Sequence, residues 1–115
     1  MEFSLNHIGI NPGCDEQVEK LKNLCLLLGL RQTKELPTAW FIADGRIELL
    51  KEKGAGTNGH LAFYTDDIPG AVALLEEHGM SVDPSTNKYN PDGSVRLVYL
   101  KDEICGFAVH LTDRK

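Results

Sequence analysis

The sequence predicts an α+β fold: two tandem strand-helix-three-strand (βαβββ) units joined into a cupped, incompletely closed mixed sheet with both helices outside. Three observations predict it. Apolar residues recur first with period two, then with period three to four, then with period two again, and the whole pattern occurs twice. A polar, glycine-rich stretch, Lys53-Gly54-Ala55-Gly56-Thr57-Asn58-Gly59, separates the two occurrences. Corresponding residues also recur at offsets of 53 (His7 to His60), 50 (Gly29 to Gly79) and 62 (Glu48 to His110), the last being larger as expected if the second copy carries the longer middle loop.

In the first unit, Leu5 to Ile10 alternates as a strand, with Ile8 and Ile10 on one face and Leu5, His7 and Gly9 on the other. Asn11-Pro12-Gly13 breaks it. From Asp15 a helix follows, with Val18, Leu21, Leu24 or Cys25, and Leu28 on its apolar stripe and Gly29 as a left-handed stop. Arg31–Leu36, Thr38–Ala43 and Arg46–Lys51 read as short strands, divided by Pro37 and by Asp44-Gly45, a tight-hairpin signal. In the second unit, Gly59–Thr65 is a strand and Asp67 caps a helix that admits Pro69 in its first turn, carries Ile68, Val72 and Leu75 on one face, and stops at Gly79. Val82 opens a strand that Asp83-Pro84-Ser85-Thr86 cuts short, Asn90-Pro91-Asp92-Gly93 is a turn, and Val95–Lys101 and Gly106–Thr112 are strands joined around Asp102-Glu103.

The chain has 115 residues, 42% of them hydrophobic, which suits one domain spanning residues 1–115, with unit one at 1–53 and unit two at 58–115. Seventeen acidic against twelve basic residues give a formal charge of −5 with no basic cluster, which excludes the electrostatic footprint of a nucleic-acid binder. The longest apolar run, Leu24 to Leu30, is too short to cross a bilayer, and the first residues have no basic leader. Three cysteines, Cys14, Cys25 and Cys105, are odd in number and widely spaced, which fits a reducing cytoplasm rather than a disulfide framework or zinc knuckle. Cys25 reads as core and Cys14 as exposed.

Strand alternation sorts four strands into a large apolar face (Ile8, Ile10; Ile47, Leu49; Leu61, Phe63; Phe107, Val109, Leu111) and an opposite face carrying His7, Glu48, His60 and His110. Small neighbours at Gly9, Ala62 and Ala108 leave room there for a pocket. A lone strand histidine is ordinarily a satisfied polar residue, and Glu48 has Arg46 and Lys51 as ready ion-pair partners. Three of the chain's four histidines, however, fall at matched places in the repeat, together with one carboxylate, and such a set can bind a divalent metal. His78, in the last turn of the second helix, suits the helix dipole and needs no other role.

The segments Asn6-His7-Ile8-Gly9-Ile10, Ile47-Glu48-Leu49, Gly59-His60-Leu61-Ala62-Phe63 and Gly106-Phe107-Ala108-Val109-His110-Leu111 resemble the vicinal oxygen chelate superfamily of glyoxalase I, bleomycin-resistance proteins and extradiol dioxygenases. With Lys88-Tyr89-Asn90-Pro91-Asp92-Gly93 and Tyr99-Leu100-Lys101-Asp102-Glu103, they look most like the domain appended to some bacterial aldolases that cleave 2-keto-3-deoxy-6-phosphogluconate and 4-hydroxy-2-oxoglutarate. The resemblance implies a divalent metal (Zn, Ni, Mn, Co or Fe) on His7, Glu48, His60 and His110. The last of these departs from the family's usual Glu and leaves Glu48 as the only carboxylate.

It further implies a small-molecule substrate, a 2-oxo acid or sugar-acid phosphate. The chemistry would be that of a lyase or isomerase working through a stabilised enediolate, or of an accessory to such an aldolase. Glu48 is the first proton acceptor to consider and His110 the second. Substrate-binding candidates are Arg96, as a carboxylate or phosphate clamp or else a solvated charge; Tyr64, as a donor on the face of His60; and Trp40, as core or dimer packing or else a stacking surface. The alternative function is a non-catalytic sequestering module of bleomycin-resistance type, with or without metal. Open sheet edges point to a homodimer.

Overall fold

A computed structural model describes the backbone of residues 1–115 and every side chain but that of Asp15. The first unit consists of β1 (Phe3–Ile10), α1 (Asp15–Leu27), β2 (Gln32–Leu36), β3 (Ala39–Ile42) and β4 (Ile47–Leu50). The second consists of β5 (Gly59–Thr65), α2 (Ile68–Glu77), β6 (Val82–Tyr89), β7 (Val95–Leu100) and β8 (Phe107–Thr112). All eight strands form one open sheet in the order β2-β3-β4-β1-β5-β8-β7-β6. Exchanging the two units maps this order onto itself. The first strands of the units, β1 and β5, meet antiparallel at the centre, and each is flanked by the parallel last strand of its own unit, β4 or β8.

The helices follow from their sequences. The Asp67 carboxylate accepts a hydrogen bond from the Gly70 N–H at 3.0 Å, capping α2 as its position requires. α1 covers β3 and β4 and α2 covers β7 and β8, each within its own unit, so the core is double. Val18 and Cys25 of α1 pack on Trp40, Ile42 and Leu49, with Leu21 at the border. Ile68 and Ala71 of α2 pack on Val98 and Leu111, with Phe63, Val72 and Leu75 around them. Between Leu24 and Cys25 the stripe of α1 turns on Cys25, which is buried, whereas Leu24 and Leu28 face solvent.

Three details differ from the sequence reading. β6 runs on through Asp83-Pro84-Ser85-Thr86 to Tyr89, because it is the last strand of the sheet and an edge tolerates proline and irregular register. The turn between β3 and β4 widens to Ala43–Arg46, with Ala43, Asp44 and Gly45 all at positive φ, so Arg46 leaves the strand for the turn. In β1 the register with β5 slips between Leu5 and His7, where Asn6 is the extra residue. That bulge places Leu5 opposite Phe63, on the helix side, instead of beside His7. Of the two readings of Trp40, core packing is the one observed, and Arg96 stays in alternation with Val98, so neither shares the face of the histidines. Trp40 pairs with Leu49 in the first core, and Arg96 alternates with Val98, which is buried beneath α2.

Candidate metal centre

The central strands carry the site, and register explains how it is assembled. Gly9 pairs with Glu48 on one side and with His60 on the other, so these three form one row across β4, β1 and β5. In the neighbouring row, His7 pairs with Ala62, Ala62 with His110, and His110 with Tyr99. Side chains in the two rows point to the side away from the helices. The His60 ring lies flat over Gly9: a Cβ at that position would fall inside the imidazole. Only glycine permits the approach.

Three side chains converge. His60 Nε2 stands 3.1 Å from Glu48 Oε1, His7 Nε2 stands 3.5 Å from the same oxygen, and the two Nε2 atoms are 3.1 Å apart. Ligand atoms bound about 2.0–2.2 Å from one ion at tetrahedral or octahedral angles lie about 2.8–3.6 Å from each other. All three separations fall in that interval. His7, Glu48 and His60 could thus hold one ion together, and His110 is not in that group. The expected fourth ligand, His110, stands beside these three: its ring stacks on that of His60 at 5.6 Å between centroids and is 6.0 Å from that of His7. Its place in the row beyond Ala62 sets it one strand further from Glu48.

Proton bookkeeping tests whether the group suits a cation. Asn6 Nδ2 donates to the Arg114 carbonyl at 2.8 Å, which fixes the amide so that Asn6 Oδ1 faces His7 Nδ1 at 2.6 Å. His7 Nδ1 must then carry the hydrogen and donate it. In the neutral ring His7 Nε2 is a lone pair, aimed at the carboxylate oxygen of Glu48. Two lone pairs 3.5 Å apart in a mostly buried site call for a positive charge between them, either a proton or a metal ion. The donor set of two imidazoles and one carboxylate, with an outer amide orienting one imidazole, fits a divalent transition metal.

The electrostatics agree. Hydrogen bonds from His60 and then from His7 lower the Glu48 carboxyl to about 2, so it is an anion at any physiological pH. Burial, with the neighbouring His60 and His7 charges adding to it, lowers His110 to about 3, which keeps it a neutral imidazole. Its buried Nδ1 has no partner among the described residues, and neither has Nδ1 of His60. Tyr99 meets His110 edge-on at 4.8 Å, and burial and the Glu48 charge raise its phenol, so it stays protonated.

Of the other sequence candidates, Tyr64 is opposite Thr112 on the histidine side of the sheet and shares with His7 a cavity of about 500 Å³. Trp40 is held between the Lys22 and Lys51 ammonium groups, each 4.4 Å from its ring, and does not reach the cavity. Asn6, Gly9, Arg46 and Tyr99 escaped the sequence reading as site residues. Gly9 had a signal, since a glycine stood beside a candidate ligand, but its partner is His60 on the next strand and not His7 on its own.

No protein-family model matches the chain, and no curated protein does. Solved structures do. A hypothetical protein from Bacillus halodurans superposes with a TM-score of 0.65 at 19% identity, over 100% of this chain and 96% of that one. Methylmalonyl-CoA epimerase from Mycobacterium tuberculosis gives 0.59 at 15% identity over 94% and 85%. A Streptomyces coelicolor methylmalonyl-CoA epimerase in complex with 2-nitronate-propionyl-CoA gives 0.56 at 19% over 94% and 92%. These likenesses establish the architecture: two helices on an open eight-stranded mixed sheet, the vicinal oxygen chelate fold. Among the described residues no helix is long and apolar enough to cross a membrane.

Proposed function

We propose that the protein binds a divalent metal through His7, Glu48 and His60 and removes a proton next to the carbonyl of a small 2-oxo acid or sugar-acid phosphate, as a lyase, isomerase or epimerase. The observation that carries this reading is the convergence of two Nε2 atoms and one carboxylate oxygen within 3.1–3.5 Å, with the His7 tautomer set by Asn6. A bound ion would supply positive charge for two adjacent substrate oxygens as negative charge builds on them. The epimerases that share the fold are named for a reaction at a carbon beside carbonyl groups, which supports the same class of chemistry.

The roles of the chain's residues follow from their protonation. Glu48, held by two imidazoles, acts as a ligand and gives up the role of base. His110 is adjacent to the group and carries an unpartnered ring nitrogen, so it is placed to accept the proton, and a bound anionic substrate has to raise its proton affinity, because burial alone disfavours the charged ring. Tyr99 keeps its hydroxyl hydrogen and serves as a donor beside it. The test is deuterium incorporation from heavy water into 2-oxobutyrate, read by mass spectrometry, beside calorimetric titration with Zn, Mn, Ni and Co. His60→Ala is expected to abolish both metal binding and exchange, whereas His110→Gln keeps the metal and loses about a hundredfold or more in exchange. A wild type that binds none of these ions, or that binds them and exchanges nothing, overturns the reading.

A further inference from the structure

Four arginines are present in the chain, and two of them are neutralised by acidic neighbours: Arg31 by Asp44 at 3.2 Å and Arg114 by Asp113 at 3.5 Å. Arg46 has no carboxylate partner among the described residues. It anchors itself with one N–H, which donates to the Leu5 carbonyl at 3.2 Å, and the rest of its guanidinium fork is uncommitted. It also lines the cavity of about 500 Å³ that opens beside His7, with Phe41 and Tyr64 on the same wall. The fourth arginine, Arg96, lies on the helix side and lines no part of this cavity.

The acidic groups in the cavity do not compete for Arg46. Asp44 is paired with Arg31, and Glu2 stands 4.0 Å from Lys115. The widened β3–β4 turn brings Arg46 to the rim, and it is held there by the main chain, since the Arg46 carbonyl accepts from the Ile8 N–H at 2.8 Å, next to His7 in the sequence. An unpaired guanidinium at the rim of a cavity that also contains a candidate metal ligand is suited to a carboxylate or a phosphate, which it grips with paired N–H donors. A second cavity flanks the site on the side of Tyr99 and Ala108, about 340 Å³ in volume, but its rim carries Asp102 and Glu103 against the single cation Lys101. That acidic excess disfavours an anion, whereas Arg46 and Lys115 balance Asp44 and Glu2 in the cavity beside His7.

We propose that the substrate is a 2-oxo acid with a second anionic group at its far end, held by Arg46 in the cavity beside His7. This deepens the function proposed above and rests on it for the placement of the 2-oxo head. The anionic group is a carboxylate or a phosphate, and the two sources are told apart by the probes.

Three probes share one chelating head: pyruvate has no distal anion, 2-oxoglutarate has a distal carboxylate, and 3-phosphohydroxypyruvate has a distal phosphate. Zn-loaded protein titrated with each is expected to bind one of the dianions about tenfold or more tighter than pyruvate, as charge-assisted hydrogen bonds to an arginine imply. Arg46→Gln should reduce that advantage to less than about twofold, Arg46→Lys should restore part of it, and neither should change the affinity for Zn alone. Amide chemical shifts provide an arm that needs no metal. Glutarate and inorganic phosphate added to metal-free protein should move Leu5, Gly45 and Arg46, and not Lys101 to Glu103. Wild type without preference for either dianion, a preference that survives Arg46→Gln, or shifts centred on Lys101 to Glu103 overturns the proposal. Failure to bind any metal while the amides around Arg46 still respond overturns the function above and keeps the anion site.

Discussion

Glu48 and His110 occupy the same place in the two units, each on the last strand and each paired with a small residue of its unit's first strand, yet the fold uses them differently. Glu48 is drawn into a group by two imidazoles and lowered to about 2. His110 stands next to that group, neutral and with an unpaired nitrogen, lowered to about 3. A similar contrast separates their histidine neighbours. His7 is gripped from behind by Asn6, and His60 has no such partner but lies flat on Gly9. Duplication sets the positions; the chemistry comes from where the copies diverge.

The substitution with the largest expected effect adds one methyl group. Gly9→Ala places a Cβ inside the His60 ring, and backbone surrounds the strand on both sides, so the ring must leave. Calorimetry should show a loss of metal affinity of about a hundredfold or more, together with a destabilisation of about 1–3 kcal/mol in urea unfolding. The matched position in the second unit, Ala62, already carries that methyl with no exposed surface. If Gly9→Ala binds metal like wild type, His60 is not a ligand. Asn6→Ala comes next. It frees the His7 tautomer and should reduce metal affinity about 10–100-fold with a smaller change in unfolding, because Asn6 is partly exposed and its contact with the Arg114 carbonyl is at the surface.

The legible parts of the structure were those set by local chemistry. The Asp67 cap, the stops at Gly29 and Gly79, the limits of β5, and the alternation that places His7, Glu48, His60 and His110 on one side all follow from residue types within a few positions of each other. Three long-range facts were not legible. The Asn6 bulge flips Leu5 without any local mark, since asparagine is equally at home in a regular strand end. The wide turn at Ala43–Arg46 overrides a strong two-residue hairpin signal and thereby frees Arg46 for the cavity. Which strand is the outermost decides whether Pro84 ends β6, and only the assembled sheet fixes that. The site shows the same division. Its residues were readable, but which of them draw closest together was not, because His110 lies one strand further from Glu48 than His60 does and no spacing along the chain encodes that.

Acid unfolding sharpens the Glu48–His110 contrast by separating their pH windows. His110 is lowered from 6.5 in the unfolded chain to about 3 in the folded one, so between these values the unfolded state takes up the proton and the folded state does not. Its contribution is fully present above about 6.5 and is lost as pH falls toward 3, by about 1.4 kcal/mol per unit of pH. Glu48 is lowered from 4.5 to about 2, so its contribution holds down to about 4.5 and is lost below it. Urea midpoints of metal-free protein should therefore decline between pH 6.5 and 5, and His110→Gln should flatten this stretch, whereas Glu48→Gln should flatten only the stretch below 4.5. A decline above pH 5 that His110→Gln leaves intact would assign it to another group.

The smallest expected effect concerns the two arginines without carboxylate partners, one in each unit. Arg96 follows the alternation of Val98 onto the helix side, away from the two rows that carry the histidines. Arg96→Gln should therefore leave metal affinity and the preference among 2-oxo acids unchanged, and stability within about 0.5 kcal/mol, as for an ordinary surface substitution. Paired with Arg46→Gln, it separates position from charge, because both variants remove one positive charge from the same small protein. Equal losses of dianion binding in the two would mean that net charge, and not the cavity beside His7, attracts the ligand. A loss confined to Arg46→Gln ties recognition to the β3–β4 turn, the element in which the structure departs furthest from the local signals of its sequence.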